Sequence, residues 1–139
     1  MKNKTQFICT VTVLAAFIAC AGVNFSNAFS GAEVSSSNIA ATGLFLIFWL
    51  LLTRFRPAAK VSIILSIFLL TTSVVGFCAT TGDWFGLGVK VITFPTIAVF
   101  YALSFISSWT VFYIITAAIS FAILVFSLIS LANNQPKSK

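Results

Sequence analysis

Long apolar runs separated by short polar interruptions organise this chain. Residues 5–23 are apolar almost throughout and uncharged. Residues 24–38 are small and polar, rich in Ser, Asn, Gly and Ala, and include Glu33. A second run covers 37–53, with every residue of 44–52 apolar, and ends at Arg54-Phe55-Arg56-Pro57. Pro57 disfavours helical geometry at Arg56. The third run is 60–79, followed by a glycine-punctuated stretch with Asp83 and Trp84. From 91 to 132 there is no charge at all.

A helix rises ~1.5 Å per residue and needs ~20 apolar residues to cross a hydrocarbon core of ~30 Å. The pattern therefore predicts an all-α polytopic transmembrane bundle in one domain, 1–139. The run 91–132 is about twice the length one crossing needs. Its most polar portion is Ser104 to Thr110, and a turn near Ser107 divides it in two. Serine and threonine hydroxyls there can cap both helix ends. The expected spans are 5–23, 37–53, 60–79, 90–105 and 109–132, with Pro95 in the first turns of the fourth. Five crossings are favoured, and four are the alternative.

Composition supports the membrane reading. Apolar types are 60% of the chain and charged types 7%, against about 25% charged in soluble domains. Such a surface is built to meet a lipid bilayer. The formal charge is +6, but the basic residues flank apolar runs and form no groove of the kind nucleic acid needs. They read as topology determinants. Lys2 and Lys4 place the N-terminus in the cytoplasm, and Arg54, Arg56 and Lys60 fall on the same side. Four crossings put seven basic residues inside and one outside; five put five inside and three outside. Charge thus favours four, whereas length and hydropathy favour five. With five, Trp109 marks the inner interface beside Arg54, and Lys137 and Lys139 lie opposite. A short basic head and compact loops suit a bacterial inner membrane. Residues 1–28 also fit a cleaved signal, with Ser26-Asn27-Ala28 as a weak site; an uncleaved first helix is the preferred reading.

Chemistry is scarce. There is no histidine, Glu33 and Asp83 fall in predicted loops, and the three cysteines form no CxxC pair. Metal sites built from Cys and His are close to excluded, no cofactor motif is present, and no catalytic residue is assigned. Ion coupling and acid–base catalysis need ionisable groups at depth. Cys20 and Cys78 lie near the outer ends of the predicted spans, where a disulfide is conceivable; simple packing is the plainer reading of both. Trp49, Trp84 and Trp109 read as interface anchors.

Small residues form the clearest pattern. Ser62, Ser66, Ser73 and Gly76 share one face of the third helix; Thr116, Ser120, Ser127 and Ser130 share one face of the last, at the same offsets. Cys9, Thr12, Ala16 and Ala19 do so on the first. Small faces let helices approach closely in lipid. The expected function is that of a small non-enzymatic membrane protein acting through helix contacts with itself or another membrane protein. The alternative is a transporter or channel for a neutral or weakly polar solute, with the Ser and Thr faces as its pathway.

Overall fold

The computed structural model describes residues 2–82, 86–105 and 108–133. Among them every regular element is helical: α1 (Lys2–Ser30), α2 (Ser36–Leu52), α3 (Arg56–Thr81), α4 (Leu87–Phe100), a 3-10 segment (Tyr101–Phe105) and α5 (Trp109–Asn133). The stretches Lys4–Ser30, Arg56–Thr81, Leu87–Phe105 and Trp109–Asn133 are long and apolar enough to cross a membrane, and Ser36–Leu52 is a shorter apolar helix. The chain is a helical membrane protein. Asp83, Trp84, Ser107, Lys137 and Lys139 lie outside the described residues.

Local chemistry sets the helix ends. Gly31 ends α1 with φ 66°, the left-handed geometry that glycine adopts without a Cβ penalty. The Ala32 N–H then reaches back to the Asn27 carbonyl at 3.1 Å. Ser35 caps α2: its hydroxyl accepts from the Asn38 N–H, and the Asn38 side chain accepts from the Ser35 N–H. Such a reciprocal box satisfies two donors that a helix start leaves bare. Pro57 opens α3 in its first turn, where a missing N–H costs least. Pro95 lies inside α4, because that helix begins at Leu87, ahead of the expected 90. It cannot donate to the carbonyl one turn back.

α1 runs to Ser30, seven residues past the expected end at Val23. The polar stretch 24–38 is therefore mostly helix, and the α1–α2 connection shrinks to residues 31–35. Asparagine is a weak helix former, but here its amides find partners across the bundle, as described below.

Helix directions follow from side-chain contacts. Ser73 of α3 meets Thr116 of α5, and Gly76 meets Tyr113. At the other end of α5, Ser130 and Asn133 line a surface groove with Thr53 and Arg54, just before α3 begins. α3 and α5 are thus antiparallel, and this pair shares the most extensive interface of the bundle. On α4, Thr96 bonds to Thr72 and Thr93 accepts from Tyr113. α4 is therefore antiparallel to α3 as well, and runs in the same sense as α5.

Two tryptophan expectations change. Trp49 is not an interface anchor: it is 1% exposed and donates its indole N–H to Ser62 Oγ at 2.9 Å. An indole N–H away from water needs a partner, and Ser62 on α3 supplies it. Trp109 starts α5, so it lies at the far end of that helix from Arg54 rather than beside it.

Candidate functional site

Two buried polar seams hold the bundle. The first joins α3 to α5 and α4. Ser62, Ser66, Ser73 and Gly76 are all buried, as are Thr116, Ser120 and Ser127; Ser130 is half-buried. These small side chains let the helix axes come close, and Tyr113 exploits the gap. A Cβ built on Gly76 would stand 2.3 Å from the Tyr113 ring, so the ring rests on bare backbone. The phenol of Tyr113 donates to Thr93 Oγ1 at 3.1 Å, and Thr93 donates on to the Val89 carbonyl at 2.9 Å. Ser73 Oγ faces the Leu69 carbonyl at 2.7 Å. Thr116 Oγ1 likewise faces the Tyr113 carbonyl at 3.2 Å, and the two hydroxyls share a hydrogen bond across 3.0 Å between the helices; each hydroxyl has one proton to give. By the same count Thr72, bonded to the Phe68 and Leu69 carbonyls, accepts from Thr96. Ser66 Oγ and Ser120 Oγ differ: both are fully buried with no hydrogen-bond partner.

The second seam joins α1, α2 and α4. Asn27 donates to Asn38 Oδ1 at 2.8 Å, and Asn38 donates to Asn24 Oδ1 at 2.9 Å. Asn24 donates to Thr42 Oγ1 at 3.2 Å, and Thr42 donates to the Val99 carbonyl at 3.1 Å. Cys20 Sγ reaches the same carbonyl at 3.4 Å. Helix ends leave carbonyls without intrahelical donors. Val99 lies one residue before the end of α4, so α1 and α2 together cap it. The Tyr101 hydroxyl bonds the Ala32 carbonyl in the α1–α2 connection. Asn24 and Asn38 are at most 1% exposed.

This second seam was missed in the sequence because residues 24–38 look like a loop. The signal was nevertheless present. Val13, Phe17, Cys20, Asn24 and Asn27 follow alternating steps of four and three, as do Asn38, Thr42, Phe45 and Trp49. That spacing keeps residues on one helical face whether they are polar or apolar. The face expected on α1 is only partly enclosed: Cys9, Thr12 and Ala16 are half-buried and Ala19 is exposed. Ala16, Ala19 and Cys20 border an apolar groove of about 350 Å³ that α2 completes with Ala41, Leu44, Phe45 and Phe48.

The Cys20–Cys78 disulfide is not formed. All three cysteines are free, with Cys20 buried and Cys78 exposed. The depths also differ. Cys20 touches Val99, whereas Thr72 touches Thr96 one turn earlier on α4, so Cys20 is level with the region of Leu69. Cys78 lies about two turns further along α3. The cause is the extra length of α1 beyond Val23, which draws Cys20 away from the end of its helix.

Lys4, Glu33, Arg54, Lys60 and Lys90 are exposed and Arg56 is half-buried. No group of three His, Cys, Asp or Glu side chains comes together among the described residues. The buried chemistry there is that of hydroxyls, amides and one thiol, bonded to one another or, as at Thr53 and Ser127, to backbone carbonyls, with Ser66 and Ser120 the exceptions. Comparison with family models, curated proteins and solved structures finds no match to this chain.

Proposed function

We propose that this chain is a small non-enzymatic membrane protein that acts through helix contacts with a second copy of itself or with another membrane protein. The carrying observation is where its polar groups go. The Ser, Thr and Asn side chains at depth are mostly bonded to one another inside the bundle, whereas Lys4, Glu33, Arg54, Lys60 and Lys90 are exposed. Catalysis or ion coupling at depth would draw on ionisable groups. What the bundle offers outward is apolar, and α1 offers the most: 11% of its best spanning window is buried. Phe7, Ile8 and Ile18 on that helix are each more than 60% exposed.

A bacterial inner membrane with the N-terminus cytoplasmic is the setting this reading adopts, on the strength of the basic clusters at Lys2/Lys4 and at Arg54, Arg56 and Lys60. Photo-crosslinking groups placed at Ile8 and Ile18 in native membranes should capture one reproducible protein neighbour. Capture of lipid alone at both positions would overturn the reading.

A second reading, passage of a neutral or weakly polar solute, is favoured by one observation. Ser66 and Ser120 hold buried hydroxyls without partners on the facing helices α3 and α5. Solute flux in vesicles, compared between the natural chain and its serine variants, separates the two readings.

A further inference from the structure

By length and apolarity Leu87–Phe105 qualifies as a crossing, but its direction relative to its neighbours speaks otherwise. α4 and α5 are consecutive helices that run in the same sense: Thr93 lies at Tyr113, and Thr96 and Thr116 sit at the adjacent residues Thr72 and Ser73 of α3. The chain must therefore return to the end from which α4 started before α5 can begin. Trp109 lies one turn before Tyr113, and Tyr113 packs at Gly76, six residues from the Gly82 end of α3. That places Trp109 close to the end of the bundle where α3 finishes and α4 starts.

The descent of α4 stops half-way. Its 14 residues measure about 21 Å, short of a ~30 Å hydrocarbon core. Val99 meets Cys20 and Thr42, well inside α1 and α2. From there the 3-10 segment turns back, since the Tyr101 hydroxyl bonds to Ala32, in the α1–α2 connection. Backbone that leaves the helix at membrane depth is tolerated only where protein encloses it. Every residue from Thr96 to Tyr101 is buried, and two side chains from other helices reach the Val99 carbonyl.

We infer that α4 and the 3-10 segment form a re-entrant hairpin that enters and leaves the bilayer on one face, so that α1, α2, α3 and α5 make four crossings. The two termini then share a side. Seven basic residues, Lys2, Lys4, Arg54, Arg56, Lys60, Lys137 and Lys139, fall on that side, and Lys90 alone falls opposite. This is the distribution the positive-inside rule favours, and α2, with 17 residues, is within the range that spans.

The test uses the full chain in intact bacterial cells, with Cys9, Cys20 and Cys78 replaced by Ser and single cysteines introduced as Gly86→Cys, Ser108→Cys and Ser138→Cys. A membrane-impermeant maleimide is applied before and after permeabilisation. The hairpin requires that Gly86→Cys and Ser108→Cys label from the same side and Ser138→Cys from the opposite one. Labelling of Gly86→Cys and Ser108→Cys from opposite sides overturns it. Should the cysteine-free chain fail to accumulate, reporter fusions on the natural chain decide. A fluorescent reporter active only in the cytoplasm and a phosphatase active only outside it are placed at each terminus. Matching signals at both termini support the hairpin, and opposite signals refute it.

Discussion

The ring of Tyr113 lies directly on the backbone of Gly76, closer than any side chain at that position would allow. This contact fixes how near α3 and α5 approach and aims the Tyr113 phenol at Thr93 on α4. Three helices therefore meet through one glycine. Gly76→Ala should destabilise the bundle by about 1–3 kcal/mol, the usual cost of forcing extra volume into a packed interior. Unfolding in detergent, followed by circular dichroism, measures it. Gly43→Ala is the matched control, because a Cβ at Gly43 meets nothing within 4 Å; its stability should stay the same or rise.

Ser66→Ala and Ser120→Ala should leave the fold intact and raise its stability by about 1 kcal/mol each. Their hydroxyls are buried without partners, and a buried unsatisfied group costs about 1–3 kcal/mol. Ser73→Ala should act in the other direction, losing about 0.6 kcal/mol, a typical interhelical hydrogen bond in a membrane protein. A drop in vesicle flux for Ser66→Ala or Ser120→Ala, with stability unchanged, would instead support the solute-passage reading.

The Asn24–Asn38 pair ties α1 to α2 through a 2.9 Å amide bond. Asn38→Leu should cost about 1–3 kcal/mol, because it leaves amide groups of Asn24 and Asn27 without their buried partner. Replacing both Asn24 and Asn38 by Leu should cost less than the sum of the two single changes, since neither member of their mutual hydrogen bond is then left behind unpaired. Additive losses across that cycle would show that the two amides do not act together.

Much of the architecture was readable along the chain because the hydrocarbon core imposes a length. Apolar runs near 20 residues, broken by the polar turn at Thr53-Arg54-Phe55 and by the glycine-punctuated stretch, translate directly into helices. The division of 91–132 was readable too: the 3-10 segment ends at Phe105 and α5 begins at Trp109, with Ser108 outside both, although the turn at Ser107 lies outside the described residues. The small-residue faces of α3 and α5 could be named from their spacing, since side chains three and four apart share a side of any helix.

Partnership and depth were decided only by tertiary structure. Hydropathy assigned Asn24 to a loop and left Asn38 at the very start of the second span, because an amide is costly in lipid. It could not register that each would be the other's hydrogen-bond partner, which removes that cost. Spacing put Ser62 and Ser66 on one face, yet it did not say that Ser62 would receive the Trp49 indole while Ser66 received nothing. The direction of α4 was the least accessible of all. Periodicity and apolarity are the same for a helix that crosses and for one that turns back; the contacts of Thr93, Thr96 and Val99 alone distinguish them. A one-dimensional pattern determines which residues avoid water, whereas the pairing of buried donors with acceptors determines which helices lie side by side and which way they run.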